Sequence, residues 1–274
     1  MSDGGGLDRD GFFVREGSLD RVSAVFAPVV DGLRTRLTAR FGAQPGRLTS
    51  TYLYGSIPRG TAVPGVSDLD ALLVLRDAPT AADQADARAV EDGLDAAFPQ
   101  IDGAGILLTG AQELLSEPER YDTAWFVACL CTPLTGPDLT AQLPRYRPTS
   151  LLARETNGDL ARFLPRLREK AAAARSEAER RRLTRVVARK LVRTGFTLVM
   201  PRWGGWTSDL AESAEIFGRY YPERAGQMRA VACAARHPPA ADARAAILDE
   251  LLHDLGPWLA GEYLAVHGAK SPAP

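Results

Sequence analysis

Leu53-Tyr54-Gly55-Ser56, followed after a polar connector by Ser67-Asp68-Leu69-Asp70-Ala71-Leu72-Leu73-Val74-Leu75, is the stretch on which the fold turns. The first part reads as a strand ending in Gly-Ser. Eleven residues then separate Ser56 from Asp68, punctuated by Pro58, Gly60, Pro64 and Gly65. The second part reads as a strand opening on Asp-x-Asp. Alternate side chains of a strand share a face, so Asp68 and Asp70 are expected to point one way and Leu69 into the core. Ala71 to Leu75 is continuously apolar, as in a strand buried on both faces.

Gly-Ser, a connector of this length and Asp-x-Asp together resemble the nucleotidyltransferase motif of the DNA polymerase beta superfamily. The chemistry of the residues agrees. Paired hard carboxylates at a strand start suit Mg²⁺ carrying a nucleoside triphosphate. Gly55 lets the backbone pass close to a phosphate, and Ser56 can offer its N–H and its hydroxyl. Arg59 can reach the same anion, and Ser67 adjoins the carboxylates. The resemblance implies two Mg²⁺ ions, ATP or another NTP as co-substrate, and a third carboxylate at the start of a neighbouring strand. Asp102 is the candidate for that place, as metal ligand or general base. The residues after it, Gly103-Ala104-Gly105, are poor strand formers, and a turn between helix and strand is the other reading of Asp102.

Working outward, residues 1–17 read as a flexible lead-in. Ser18 could cap a helix from Leu19 to about Arg40, with Pro28 kinking or splitting it. Arg47 to Tyr54 is the first expected strand. A helix follows Thr80 to about Ala97, and residues 99–109 read as a third strand. Residues 111–131 look helical, with Tyr121, Trp125 and Phe126 as a packing face. Thr132 to Leu139 is a breaker-rich loop, similar to the stretch that ends the catalytic domain in small-molecule nucleotidyltransferases.

From about Ser150 strand signals vanish. Helices are expected near 151–174, 177–200, 207–219, 222–235 and 240–267, broken at Pro201, Gly204-Gly205, Tyr221-Pro222 and Pro238-Pro239, with Pro165 and Gly256-Pro257 disturbing the first and last. The segment from Arg162 to Arg202 holds thirteen Lys and Arg against three Glu. Arg189, Lys190 and Arg193 fall within one helical turn. A solvated face is the plain reading of such a run. The stretch also resembles the helical domain of aminoglycoside adenylyltransferases, which implies that Lys190, Arg193 and Arg202 reach across a cleft to the triphosphate. The expected class is therefore α+β, with a mixed-sheet catalytic domain over 18–148 and an all-helical domain over 149–274.

Bulk properties narrow the partners. Charged residues make up 24% and hydrophobic ones 45% of the 274 residues, with net charge −1 and pI near 6.3. That balance disfavours a dedicated nucleic-acid binder. No apolar run reaches transmembrane length. Cys129 and Cys131, spaced C-x-C in an apolar run without a nearby His, read as buried small residues rather than a zinc or disulfide site. With no apolar signal-peptide core near the start, the expected compartment is the cytoplasm. His237, His253 and His267 are isolated in sequence, and none is expected to pair with a Ser or Cys nucleophile.

The resemblance thus implies an enzyme that transfers AMP from ATP to a hydroxyl of a small, drug-like molecule, as antibiotic-resistance adenylyltransferases do. The alternatives are an antitoxin-type adenylyltransferase acting on a partner protein, and a nucleotidyltransferase acting on RNA. The first is disfavoured by the lack of an Arg, four to six residues, His signature, the second by the neutral charge.

Overall fold

The computed structural model describes residues 5–42, 46–236 and 241–271. His237 and the Pro238-Pro239 break lie outside them. The chain divides into two compact units: Val14–Tyr146, and Met1–Phe13 together with Arg147–Pro274. The expected boundaries 1–17, 18–148 and 149–274 differ from this mainly at the start. Residues 5–13 are not a separate lead-in. They carry a β-bridge between Leu7 and Phe13 and pack with the helical unit.

The Val14–Tyr146 unit opens with a single helical turn, Leu19–Arg21, capped by Ser18. Helix α1 (Ala27–Phe41) begins at Ala27, with Pro28 in its first turn, so the expected long helix is split. Proline fits a first helical turn because its missing N–H has no partner there anyway. Strand β1 (Leu48–Tyr54) leads through a one-turn helix α2 (Ser56–Arg59) to β2 (Leu69–Leu75). Helix α3 (Ala81–Ala97) starts at Thr80, whose hydroxyl accepts from the Asp83 N–H while Asp83 accepts from the Thr80 N–H. This reciprocal capping satisfies two donors that a helix start leaves orphaned. Strand β3 (Ala104–Gly110), helices α4 (Ala111–Leu114) and α5 (Thr123–Leu130), and strand β4 (Thr132–Thr135) complete the unit.

Among the described residues the sheet has the order β3-β2-β1-β4. β1 runs antiparallel to β2 and β4, and β2 runs parallel to β3. Because side chains alternate across a strand, β2 feeds two cores. Leu69, Ala71, Leu73 and Leu75 join Val29, Leu33, Leu37, Val90 and Leu94 of α1 and α3 on one face. Leu72 and Val74 join Tyr52, Leu114, Ala124 and Val127 on the other. Asp70 falls in register with the second set. The carboxylates therefore lie at the opening end of β2, on the face that α4 and α5 cover further along.

The second unit is helical: α6 (Ser150–Asn157), α7 (Leu160–Ala173), α8 (Glu177–Trp203), α9 (Leu210–Tyr220), α10 (Ala225–Arg236), α11 (Ala241–Glu250) and α12 (Gly256–His267). α8 is its axis, burying Leu191, Val192, Phe196, Leu198, Val199 and Met200. It runs through Pro201 rather than breaking there, and stops at Gly204, whose φ of 76° takes the left-handed turn and whose N–H bonds to Met200 O. The first expected helix divides at Gly158-Asp159, not at Pro165, which sits inside α7. A π-helical turn, Leu251–Leu255, precedes Pro257. Residues 5–13 are held here: the Trp206 N–H donates to Gly5 O at 2.7 Å, the Phe13 ring meets Trp206 edge-on, and Arg147 lies over Phe12. Among the described residues no helix is long and apolar enough to cross a membrane.

Candidate active site

Asp70 and Tyr54 stand opposite each other on β2 and β1. One residue beyond Tyr54, Gly55 turns the chain into α2 with φ 82° and ψ −154°, a conformation open essentially to glycine. A β-carbon at Gly55 would sit 2.6 Å from Asp70 Oδ2. Glycine is thus required twice, for the turn and for the approach of backbone to carboxylate. Asp68 lies one residue before β2, and both aspartates are half-buried. Continued one residue back from β2, strand alternation would set Asp68 on the face of Asp70.

Ser56 is the first residue of α2 and Arg59 its last. Arg59 lies within 3.6 Å of Glu16. Ser67 closes the connector on itself: its hydroxyl accepts from the Val63 N–H at 2.9 Å and its own N–H donates to Val63 O. It therefore fixes the turn that delivers Asp68.

Asp102 is placed differently from the expectation. It is exposed, two residues ahead of β3, and its N–H donates to Ser67 O. The β2–β3 ladder pairs Leu69 with Ala104 and Asp70 with Gly105, and it opens with a bond from Leu69 N to Gly103 O. Positions 103 and 105 are thus in phase with Asp68 and Asp70, while 102 is out of phase by one residue. Among the described residues no three His, Cys, Asp or Glu side chains gather closely enough to hold a metal ion. Among the described residues the structure does not bring Asp102 into a three-carboxylate cluster with Asp68 and Asp70.

The expected phosphate-binding cations of the helical unit are all on or near α8. Lys190 donates to Asp159 at 2.8 Å and to Asn157, and lies over the Phe163 ring. Arg193 is exposed. Arg202 stacks over Tyr220 and Tyr221. Cys129 and Cys131 are buried, as expected, and burial pushes the Cys129 thiol up to about 12. His267, expected to be isolated from any nucleophile, accepts from the Ser150 hydroxyl at Nδ1 (2.7 Å) while its Nε2–H donates to Leu198 O. Burial lowers its proton affinity.

Sequence reasoning missed a network further along the sheet face that Asp70 shares. The Tyr52 hydroxyl donates to Asp138 Oδ1 at 3.2 Å and accepts from the Leu139 N–H at 2.8 Å. Asp138 also accepts from Arg15 at 2.8 Å and caps the turn Leu139–Gln142. Burial alone would raise the Asp138 carboxyl, but hydrogen bonds from Arg15 and Thr140 outweigh it and hold the group below its ordinary range. The same burial pushes Tyr52 up to about 12. The breaker-rich loop from Thr132 to Leu139 was the available signal, and its Asp138 joins Arg15 to Tyr52 of β1.

This mixed sheet, with paired carboxylates opening β2 beside a Gly-Ser turn, followed by a helical unit, is the nucleotidyltransferase fold. Spectinomycin adenyltransferase AAD(9) from Enterococcus faecialis, solved with ATP and spectinomycin, is similar to this chain with a TM-score of 0.53 and 13% identity. The match covers 86% of this chain and 98% of that one. No family model and no curated protein matches the sequence.

Proposed function

We propose that this protein transfers a nucleoside monophosphate, AMP from ATP, to a hydroxyl of a small molecule. The acceptor oxygen attacks the α-phosphorus, the bond from that phosphorus to the bridging oxygen of the β-phosphate breaks, the hydroxyl proton is lost and pyrophosphate leaves. The observation that carries this reading is Asp70 in the opening of β2 with the Gly55 backbone held against its carboxylate, Asp68 standing two residues before it.

The donor set fits a hard divalent cation: two carboxylates at a strand opening, with space kept by a glycine that a β-carbon would fill. Asp68 and Asp70 would hold Mg²⁺, two ions by the family resemblance, and the metal would supply charge neutralisation at the phosphoryl oxygens. Gly55 lies against Asp70; with Ser56 it would offer backbone N–H and hydroxyl donors to the phosphates, and Arg59, at the far end of the same helical turn, would add positive charge. Ser67 holds the connector so that Asp68 meets the site in a fixed position. The structural neighbour, a spectinomycin adenyltransferase solved with ATP and spectinomycin, supports a small-molecule acceptor and ATP as the donor. The test is incubation with each labelled NTP, Mg²⁺ and a panel of hydroxylated small molecules, including aminocyclitols. Mass spectrometry should find an acceptor heavier by one nucleoside monophosphate. Pyrophosphate release without any nucleotidylated product, or no turnover of any NTP, would sink the proposal.

A further inference from the structure

Asp70 sits between two glycines. Gly55 presses against Oδ2 from the β1 side. On the other side Gly105 stands abreast of Asp70 in the parallel ladder, and a β-carbon there would lie 3.5 Å from Oδ1, in ordinary contact. One step earlier in the same phase is Gly103, where a β-carbon would meet nothing within 4 Å. In-register residues of neighbouring strands project to the same face. The two positions of the β3 side that could send a side chain toward Asp68 and Asp70 therefore send none. Asp102, the nearest carboxylate in sequence, lies between these phases.

We infer that the sheet of this protein offers a cation two carboxylates and no third, Gly105 occupying the third place, so that cation binding waits on the nucleotide. The inference rests on the nucleotidyltransferase reading and deepens it. A hard cation such as Mg²⁺ takes six oxygens at about 2.0–2.1 Å, and its affinity follows the number of charged ligands. Two aspartates leave most of that shell to be filled. Phosphate oxygens of a bound NTP fill it and bring the negative charge that a third carboxylate would otherwise contribute. Adjacent oxygens of such a shell are about 3 Å apart, so a carboxylate on residue 105, rooted 3.5 Å from Asp70 Oδ1, has the reach to share an ion with it.

The test uses Mn²⁺ as a paramagnetic stand-in, titrated into the full chain and followed by electron paramagnetic resonance. It is run with and without a non-hydrolysable α,β-methylene ATP analogue, whose own Mn²⁺ binding is subtracted from a protein-free titration. The wild-type protein should bind Mn²⁺ weakly alone and at least about tenfold more tightly with the analogue. Gly105→Asp should tighten Mn²⁺ binding to the nucleotide-free protein by at least about tenfold, since carboxylate count tunes such sites, while Gly105→Asn, of the same shape without the charge, should not. A folded Gly105→Asp protein that binds Mn²⁺ like wild type would overturn the inference. So would a wild-type protein that binds Mn²⁺ equally well without nucleotide, a comparison that decides the matter even if the variant does not fold. Neither measurement needs turnover. Tightening by Gly105→Asp in a protein that transfers no nucleotide would leave the cation inference standing and remove the proposed function; transfer without tightening would do the reverse.

Discussion

Gly55→Ala tests the closest approach in the site. The residue holds φ 82° and ψ −154°, and a side chain in that region costs about 1–3 kcal/mol. The added methyl would also lie 2.6 Å from Asp70 Oδ2, where ordinary contact begins near 3.4 Å. Relieving that overlap means moving the Asp70 side chain or the turn, and overpacking of this kind costs about 1–3 kcal/mol. The variant should lose roughly 2–6 kcal/mol in all. Urea unfolding followed by fluorescence and by amide exchange at β1 and β2 would measure it, the second probe guarding against separate unfolding of the two units. Repeating the substitution in an Asp70→Ala background divides the cost. The overlap disappears with the carboxylate and the backbone penalty stays, so the double-mutant coupling should be about 1 kcal/mol or more. Stability within about 0.5 kcal/mol of wild type would refute the claim that the turn demands glycine. A cost unchanged by Asp70→Ala would show that the carboxylate is not what excludes the side chain.

Asp70→Asn should melt within a degree or two of wild type and lower nucleotidyl transfer by at least about 10²-fold, the scale of losing one electrostatic stabiliser; wild-type turnover in both it and Asp68→Asn would end the catalytic assignment. Tyr52→Phe removes a hydroxyl that donates to Asp138 and accepts from Leu139 N–H, and should cost about 1–3 kcal/mol in denaturant unfolding by orphaning a buried N–H; a neutral result would mean water replaces the hydroxyl. Asp138 has a folded-state proton affinity held below the ordinary value of 3.8. Its contribution to stability is therefore present above that value and lost as pH falls through the lower folded one. The stability gap between wild type and Asp138→Asn should accordingly be full at neutral pH and narrow below about pH 4; a gap that widens in acid would reverse the sign of the argument.

The paired carboxylates and the strands that carry them were legible because two local rules agreed: strand alternation and the apolar run 71–75. The helical half was legible from periodicity, and its ends were harder to place. Pro201 looked like a stop, but α8 runs past it to Gly204, because a buried stripe from Leu191 to Met200 holds the helix against its neighbours. β4 was hidden by Pro133 and Gly136. Proline is tolerated at a sheet edge, which is where the ladder puts this strand. Residues 111–131 look helical in sequence, and they form two separate helices, α4 and α5, with Pro118 between them. Asp102 shows a different kind of limit. A one-residue change of register moves every side chain to the other face, and the pairing of β2 with β3 is a long-range property that no local pattern encodes. The same register, once seen, gives Gly105 a meaning that composition could not.

The grouping of residues 5–13 with the helical unit gives the chain an order-of-synthesis problem. The sheet unit sits in the chain as an insertion, entered after Phe13 and left at Tyr146. On the ribosome, its strands and α1 to α5 are all available before any of α6 to α12 exists, and domains generally fold as units, the N-terminal first. The segment that ends up bonded to Trp206 must wait, unpartnered, through that whole interval. Closure of such a long-range contact is slow to be rewarded. The sheet unit is thus free to complete itself early, whereas the helical unit cannot finish until a segment made before the sheet meets one made long after it. A fragment beginning at Arg147 would lack Gly5, Phe12 and Phe13, and would leave Trp206 N–H and the faces of Arg147 and Trp206 without the groups that cover them.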